Sequence, residues 1–301
     1  MLSAPRYPDF KPLGLEDQDH LRSFFRADPP VTSELTFTNL FMWRNSYRFR
    51  WTLADGALLL CGETAEGAPF ALPPIGGGDL MSTFRLLLES LGKLAPVPEI
   101  HRVPEAMAQR YSEPLSLEVQ ESREHSDYVY RTESLIKLSG RKYHGKRNHL
   151  KQFRSKYSYR YESMNERIIE QCLQLQEEWC HLRNCPSNHA LLSEEQAIHE
   201  VLEHYHELDC EGAAIVVDGR VVAFSLGEQL NPDTAVIHIE KANPGFPGSY
   251  AVINQEFCRH AWSQFTFINR EQDLGEEGIR KAKLSYYPDH LVNKVILRAK
   301  S

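Results

Sequence analysis

The order strand, tight turn, strand, strand, helix, strand occurs twice along this chain, and that doubling restricts its possible folds more than any other feature. The first copy, "YRFRWTLADGALLLCGETAEGAPFALPPIGGG", alternates or runs apolar as strands do, with Asp55-Gly56 as a hairpin signal. "DLMSTFRLLLESLG" then reads as a helix with Asp79 as N-cap and Gly92 past its end. A strand "PEIHRV", a helix "PEAMAQRY" and a strand "LSLEVQE" complete it. The second copy, "GAAIVVDGRVVAFSLGEQLNPDTAVIHIEKA", is again strand, Asp218-Gly219 turn, strand, turn, strand. The loop "NPGFPGSY" leads to the helix "AVINQEFCRHAW", and the strand "FTFIN" follows. Such doubling predicts an α/β protein of two tandem units, each a mixed, mostly antiparallel sheet flanked by helices. The boundaries are read as 1–130 and 131–301, and the second unit carries a helical insert over 140–210.

With 301 residues, two units can each bury a core. The net charge of −7 argues against a surface that coats nucleic acid throughout, but it leaves room for a local basic groove. The six cysteines lack a framework spacing and no signal peptide opens the sequence, so they are expected to be reduced thiols in a cytoplasmic protein. The most apolar stretches are broken by charge and fall short of a membrane span.

Within the insert, "GRKYHGKRNHLKQFRSKY" sets Tyr143, Leu150, Phe153 and Tyr157 on one helical stripe. A second amphipathic helix, "NERIIEQCLQLQEEWCHLR", is read with Ile169, Cys172, Leu173 and Trp179 inward, and a third opens on a Ser193–Gln196 capping box. "HEVLEH" is one residue too long for a zinc-protease helix, because a five-residue step turns the second imidazole away from the first. Cys172, Cys180 and Cys185 lack the two-residue knuckle that brings thiolates together on zinc, so they are read as buried apolar residues and no metal is expected. Ser225 in "AFSLG" has half of a nucleophile elbow and no strand-to-helix turn after it.

Two features point to a polyanionic ligand. Arg141, Lys142, Lys146, Arg147, Lys151, Arg154, Lys156 and Arg160 fall in a stretch with no Asp or Glu, and tyrosines interleave with them. Phosphate binding and base stacking would both use such a surface, as would an ordinary solvated helix face. In "NPGFPGSY", Gly245 and Gly248 sit where a strand gives way to a helix N-terminus, a position that suits phosphate or simply a turn. The strand before it carries His238 and Glu240 on one side by alternation.

The blocks "SELTFTNLFMW" (33–43), "GRKYHGKRNHLKQF" (140–153) and "NREQDLGEEGIRKAKLSYYP" (269–288) resemble the soluble family related to the phosphatidylglycerol lysyltransferase C-terminal domain. That resemblance implies two tandem GCN5-related N-acetyltransferase (GNAT) units, the architecture also of the peptidoglycan-building aminoacyl transferases. It implies direct acyl transfer to an amine or hydroxyl of a lipid, peptide or small molecule. No tightly bound cofactor is implied; the co-substrate is an aminoacyl-tRNA or an acyl-coenzyme A. Tyr250 stands where the acetyltransferase loop wants a small residue, which together with the basic helix favours aminoacyl-tRNA, its acceptor end at 141–160. The sequence lacks the multi-span domain that supplies lipid to the lysyltransferases, so the acceptor is expected at a bilayer surface, by peripheral contact, or in solution.

For such a reaction the residues suggest Glu240 as general base, Asp273 as its reserve and Tyr286 or Tyr287 as proton donor to the leaving group. Lys283, carried over from the aminoacyl transferases, would face donor phosphate with Arg280, Lys146 and Arg147, beside Gly245, Gly248 and Tyr250. Glu34, Asn39 and Trp43 are read as structural. The competing reading is a catalytically silent binding protein, with the charged run at 270–283 serving as an internal salt-bridge network.

Overall fold

The computed structural model describes residues 4–183 and 185–300. In the first repeat the strands are β1 (Lys11–Pro12), β2 (Arg50–Ala54), β3 (Ala57–Glu63), β4 (Pro69–Ala71), β5 (Ile75–Gly76), β6 (Glu99–Pro104), β7 (Leu117–Glu121) and β8 (Asp127–Arg131). Its helices are α1 (Gln18–Ala27), α2 (Phe37–Tyr47), α3 (Leu80–Gly92) and α4 (Glu105–Tyr111). Between the repeats lie α5 (Thr132–Lys137) and α6 (His144–Lys156). The second repeat has β9 (Tyr159–Ser163), α7 (Glu166–Arg183), α8 (His189–Glu203), β10 (Glu211–Val217), β11 (Arg220–Gln229) and β12 (Thr234–Ala242). It ends with α9 (Ser249–His260), β13 (Phe267–Asn269), α10 (Glu277–Leu284), β14 (His290–Val292) and β15 (Lys294–Ala299).

One sheet runs β1-β2-β3-β4-β6-β15-β7, with β5 on β3, and the other β14-β8-β13-β12-β11-β10-β9. The final strand of each repeat therefore lies in the sheet of the other, β8 beside β13 and β15 between β6 and β7. As a result the compact units are not the contiguous stretches 1–130 and 131–301. Unit 1 runs through Asp127 and adds Gln272–Arg280 and the chain from Leu291; unit 2 is Tyr128–Glu271 with Lys281–His290.

Both expected hairpins form, with positive φ at Asp55 and Gly56 and at Asp218 and Gly219, the backbone a type I′ turn demands. Asp79 caps α3 by accepting from the Met81 and Ser82 amides. The insert departs from its reading in three places. It contains the edge strand β9, paired to β10, in which Tyr159 and Tyr161 alternate with Arg160 and Glu162, a pattern too short to stand out between two helices. Helix α7 buries Ile168, Cys172, Leu175, Gln176 and Cys180, so of the expected inward residues Cys172 is buried while Ile169, Leu173 and Trp179 are half-buried. Helix α8 starts earlier than Ser193, since Asn188 accepts from the Ala190 and Leu191 amides and so satisfies donors the first turn leaves free.

Unit 1 packs Leu59, Phe84, Leu87, Leu91, Ile100 and Leu297 into its core. Beside this core lies a buried charged network. The Lys294 ammonium sits 2.6 Å from Glu34 Oε2 and 2.6 Å from Asp127 Oδ1. Arg102 Nε donates to Glu34 Oε1 at 3.1 Å, and Ser33 donates to Asp127 through its amide and its hydroxyl. Glu34 is thus bound into this network, and Thr36 caps α2 by accepting from the Asn39 amide.

Candidate active site at the diverging strands of unit 2

Strands β12 and β13 pair in parallel only at Thr234–Phe267, Ala235–Ile268 and Val236–Asn269. There β13 stops while β12 runs on to Ala242, so the backbone seam opens where Glu240 and Arg270 emerge. A β-bulge against β11 at Leu226/Gly227 helps turn β12 aside, and its close backbone approach requires glycine: a Cβ on Gly227 would lie 2.3 Å from the Val236 carbonyl oxygen.

A charged, aromatic cluster fills the opening. Glu240 Oε1 accepts from Arg270 at 2.9 Å and its Oε2 accepts from Asn254 Nδ2, on α9, at 3.0 Å. The Arg270 guanidinium stacks 4.9 Å from the Tyr286 ring centre and 5.7 Å from that of Tyr130. Lys146, from α6, lies 3.8 Å over the same Tyr286 ring. Burial and the neighbouring guanidinium push the Lys146 ammonium down to about 8, against the pull of Glu240. Burial pushes the Tyr130 and Tyr286 phenols up, so both stay protonated at neutral pH. Two buried atoms in this cluster have no partner, Arg270 NH1 as donor and Asn254 Oδ1 as acceptor. Leaving such atoms bare costs about 1–3 kcal/mol each, so they mark a place for a bound polar group.

Of the expected site residues, Glu240, Tyr286 and Lys146 meet here. Tyr250, at the start of α9, feels the Glu240 charge, and its phenol is pushed up by burial. Lys283 donates its ammonium to the Arg270 carbonyl, and Arg147 holds the carbonyls of Leu138 and Gly140, so both anchor backbone. Gly248 takes φ 95° because α6 presses on it: a Cβ there would stand 2.7 Å from the His149 carbonyl oxygen. Gly245 closes an Asx-turn, donating its amide to Asn243 Oδ1 at 2.8 Å. Asp273 and Arg280 belong to unit 1, where Arg280 grips the fully buried carboxylate through two bonds of 2.8 and 3.0 Å. For Asp273 and Arg280 the internal salt-bridge reading describes the geometry. In the basic run, Arg154 pairs with Glu256 and Arg160 with Glu162, whereas Lys151 is exposed.

Arg270 and Asn254 were not among the expected site residues. Arg270 sits directly after "FTFIN", a visible signal of charge at a strand end, and Asn254 is a polar residue in the apolar helix "AVINQEFC". A cavity of about 310 Å³ opens elsewhere in unit 2, lined by Thr132, Ile136, Lys137, Ser263 and Phe265.

His238 lies in the bulge, its Nδ1 2.7 Å from Glu271 Oε1 and its Nε2 2.9 Å from Glu228 Oε1. Burial alone would lower its pKa, but the two carboxylates outweigh it and hold the imidazole up at about 9. A raised pKa stabilises fully below the ordinary His value of 6.5, and this contribution is lost as pH climbs through about 9. In urea titrations from pH 6 to 10, wild type should lose roughly 3 kcal/mol more than His238→Gln. Parallel pH profiles for the two chains would contradict that assignment.

Two mixed sheets flanked by helices, one of them parting where two parallel strands diverge, make up a tandem GNAT fold. Over residues 26–298 the sequence matches the family described as phosphatidylglycerol lysyltransferase, C-terminal, and the chain belongs to that family. A conserved protein of unknown function from Bacteroides thetaiotaomicron VPI-5482 is 34% identical, with TM-score 0.91 over 97% of this chain and 99% of that one. L-PGS from Bacillus licheniformis superposes with TM-score 0.65 at 13% identity, covering 99% of this chain and 94% of that one. A tandem GNAT protein from the clavulanic acid biosynthesis pathway gives TM-score 0.52 at 10% identity, covering 97% and 98%. An uncharacterised protein of Mycoplasmoides gallisepticum is 23% identical over 175 residues, 58% of this chain and 56% of that relative's length. No helix among the described residues is long and apolar enough to cross a membrane.

Proposed function

We propose that this protein is an aminoacyl transferase that passes an activated aminoacyl group directly to an amine or hydroxyl at the diverging strands of unit 2. The observation that carries this reading is the charged cluster in the opening beyond Val236 and Asn269, with a donor and an acceptor left unpaired inside it. Membership of the lysyltransferase family supports it.

Both Glu240 oxygens are engaged, so in this reading the carboxylate fixes Arg270, and it is burial together with that guanidinium that brings Lys146 toward its neutral form. Lys146 is then the better proton acceptor, because an amine near pKa 8 is partly neutral at working pH. As the acceptor attacks the donor carbonyl, its proton passes to Lys146, and the developing oxyanion accepts from Arg270 NH1. The protonated Tyr286 phenol gives its proton to the leaving oxygen of the donor, and the proton taken up by Lys146 is returned to the phenolate or to solvent, which resets the site. Aminoacyl-tRNA is favoured over acyl-coenzyme A because Gly248 is held against α6 while the exposed side of the basic run still carries Lys151.

A thermal-shift series with coenzyme A, acyl-coenzyme A and charged tRNA tests the donor. Charged tRNA should raise the melting temperature, with the gain shrinking as salt is added. Stabilisation by acyl-coenzyme A alone would overturn the tRNA assignment. The Arg270–Glu240 bridge across the seam favours a second reading, a binding protein without turnover. In that case a stabilising donor would never be consumed.

A further inference from the structure

We propose that Cys180, Cys185 and Glu195 form a thiol-gated site for a zinc-class divalent cation. Cys180, in α7, and Cys185, just before α8, are joined as a disulfide, which corrects the expectation that every cysteine is a free thiol. Both are buried. The Glu195 carboxylate, on α8, meets them: one donor atom from each of the three residues lies within 4.8 Å of the others. Tetrahedral coordination at Zn–S distances of about 2.3 Å places neighbouring donors roughly 3.5–3.8 Å apart, so small rotamer changes in the reduced chain bring this set to a metal. Spacing in the sequence hid the site, because Cys180 belongs to one helix, Cys185 precedes the next, and the third ligand comes from that second helix.

Other features fit a metal site better than an incidental cystine. Glu195 also lines a cavity of about 310 Å³ with Gln196, His199, Glu200 and Glu203, which leaves room beside its carboxylate for a water as fourth ligand. Two thiolates and a carboxylate are the donor set that borderline-soft zinc prefers over magnesium or calcium. The preceding residue, Trp179, holds the Lys241 ammonium 3.7 Å over its ring, and Lys241 follows Glu240 in β12.

The gating step balances. A dithiol reductant gives two electrons and two protons to the Cys180–Cys185 bond and closes to its own disulfide, leaving two thiols. Metal binding then releases both thiol protons, and the resulting site carries a net charge of −1.

The test titrates the full-length chain with zinc against a chromogenic chelator, once oxidised and once reduced with a dithiol and desalted without air. The reduced chain should take up one equivalent and the oxidised chain none. Cobalt substitution should give a sulfur-to-metal charge-transfer band. Cys180→Ser and Cys185→Ser should each weaken binding by at least about 100-fold, and Glu195→Gln by about 10–100-fold. If the reduced wild-type chain retains no zinc, or the oxidised chain binds it equally well, the proposal fails. It also fails if the cobalt form lacks the band. Because the two redox states of one wild-type chain are compared, a variant that does not fold leaves the proposal open to refutation.

Discussion

Replacing Lys294 by methionine is expected to remove about 3–5 kcal/mol of stability and to lower the melting temperature by about 10 °C. Lys294 is 1% exposed, and its ammonium neutralises two carboxylates that are themselves buried, Glu34 and Asp127. Without it, Arg102 is left as the cation on Glu34, and the buried Asp127 carboxylate loses its 2.6 Å ion pair. The loss comes from stranded negative charge more than from a missing attraction. Adding Asp127→Asn to the methionine variant should therefore restore at least half of it. Arginine at 294 should not substitute, since its planar fork does not fit a point set by two short ion pairs. Urea and thermal melts of the single and double variants measure the effect. A methionine variant that melts within about 2 °C of wild type would show the network to be energetically idle.

Replacing Lys146 by methionine should lower transfer by about 100-fold or more and leave the melting temperature nearly unchanged. The expected rate loss is that of a missing proton acceptor. The expected stability is high because Lys146 is only half-buried, lies over the Tyr286 ring and carries a positive charge close to Arg270. Glu240→Gln is a poorer probe of the same chemistry, because it leaves the Arg270 guanidinium buried without its counter-ion. The pH profile separates proton transfer from simple positioning. Wild-type rate should rise through about 8 as the amine becomes neutral, and that limb should vanish in the methionine variant. Wild-type turnover in the variant would remove Lys146 from the reaction.

The repeat was legible because its signals are local. Asp55-Gly56 and Asp218-Gly219 dictate hairpins, and Asp79 announces a helix. Glu240, Lys146 and Tyr286 could be named from charge placed at strand ends and on one polar helix face, without knowing that they meet. What stayed hidden depends on long-range pairing. Nothing near Lys294 tells that β15 will lie between β6 and β7, so its burial could not be read. Arg280 and Lys283 looked equivalent to any phosphate-binding cation, yet one is clamped to Asp273 and the other to a backbone carbonyl. Asn254 and Arg270 acquire meaning only when α9 and the end of β13 converge on one carboxylate.

The placement of β15 also governs the timetable of folding. Residues 294–299 follow every other strand in chain order, yet they fill an interior position of the sheet that begins at Lys11. That sheet cannot close until β15 has docked, and its β6 and β7 edges wait unpaired for a segment far along the chain. Until then those edges are open to mispairing, so the arrival of β15 is expected to be the slow step in assembling this sheet.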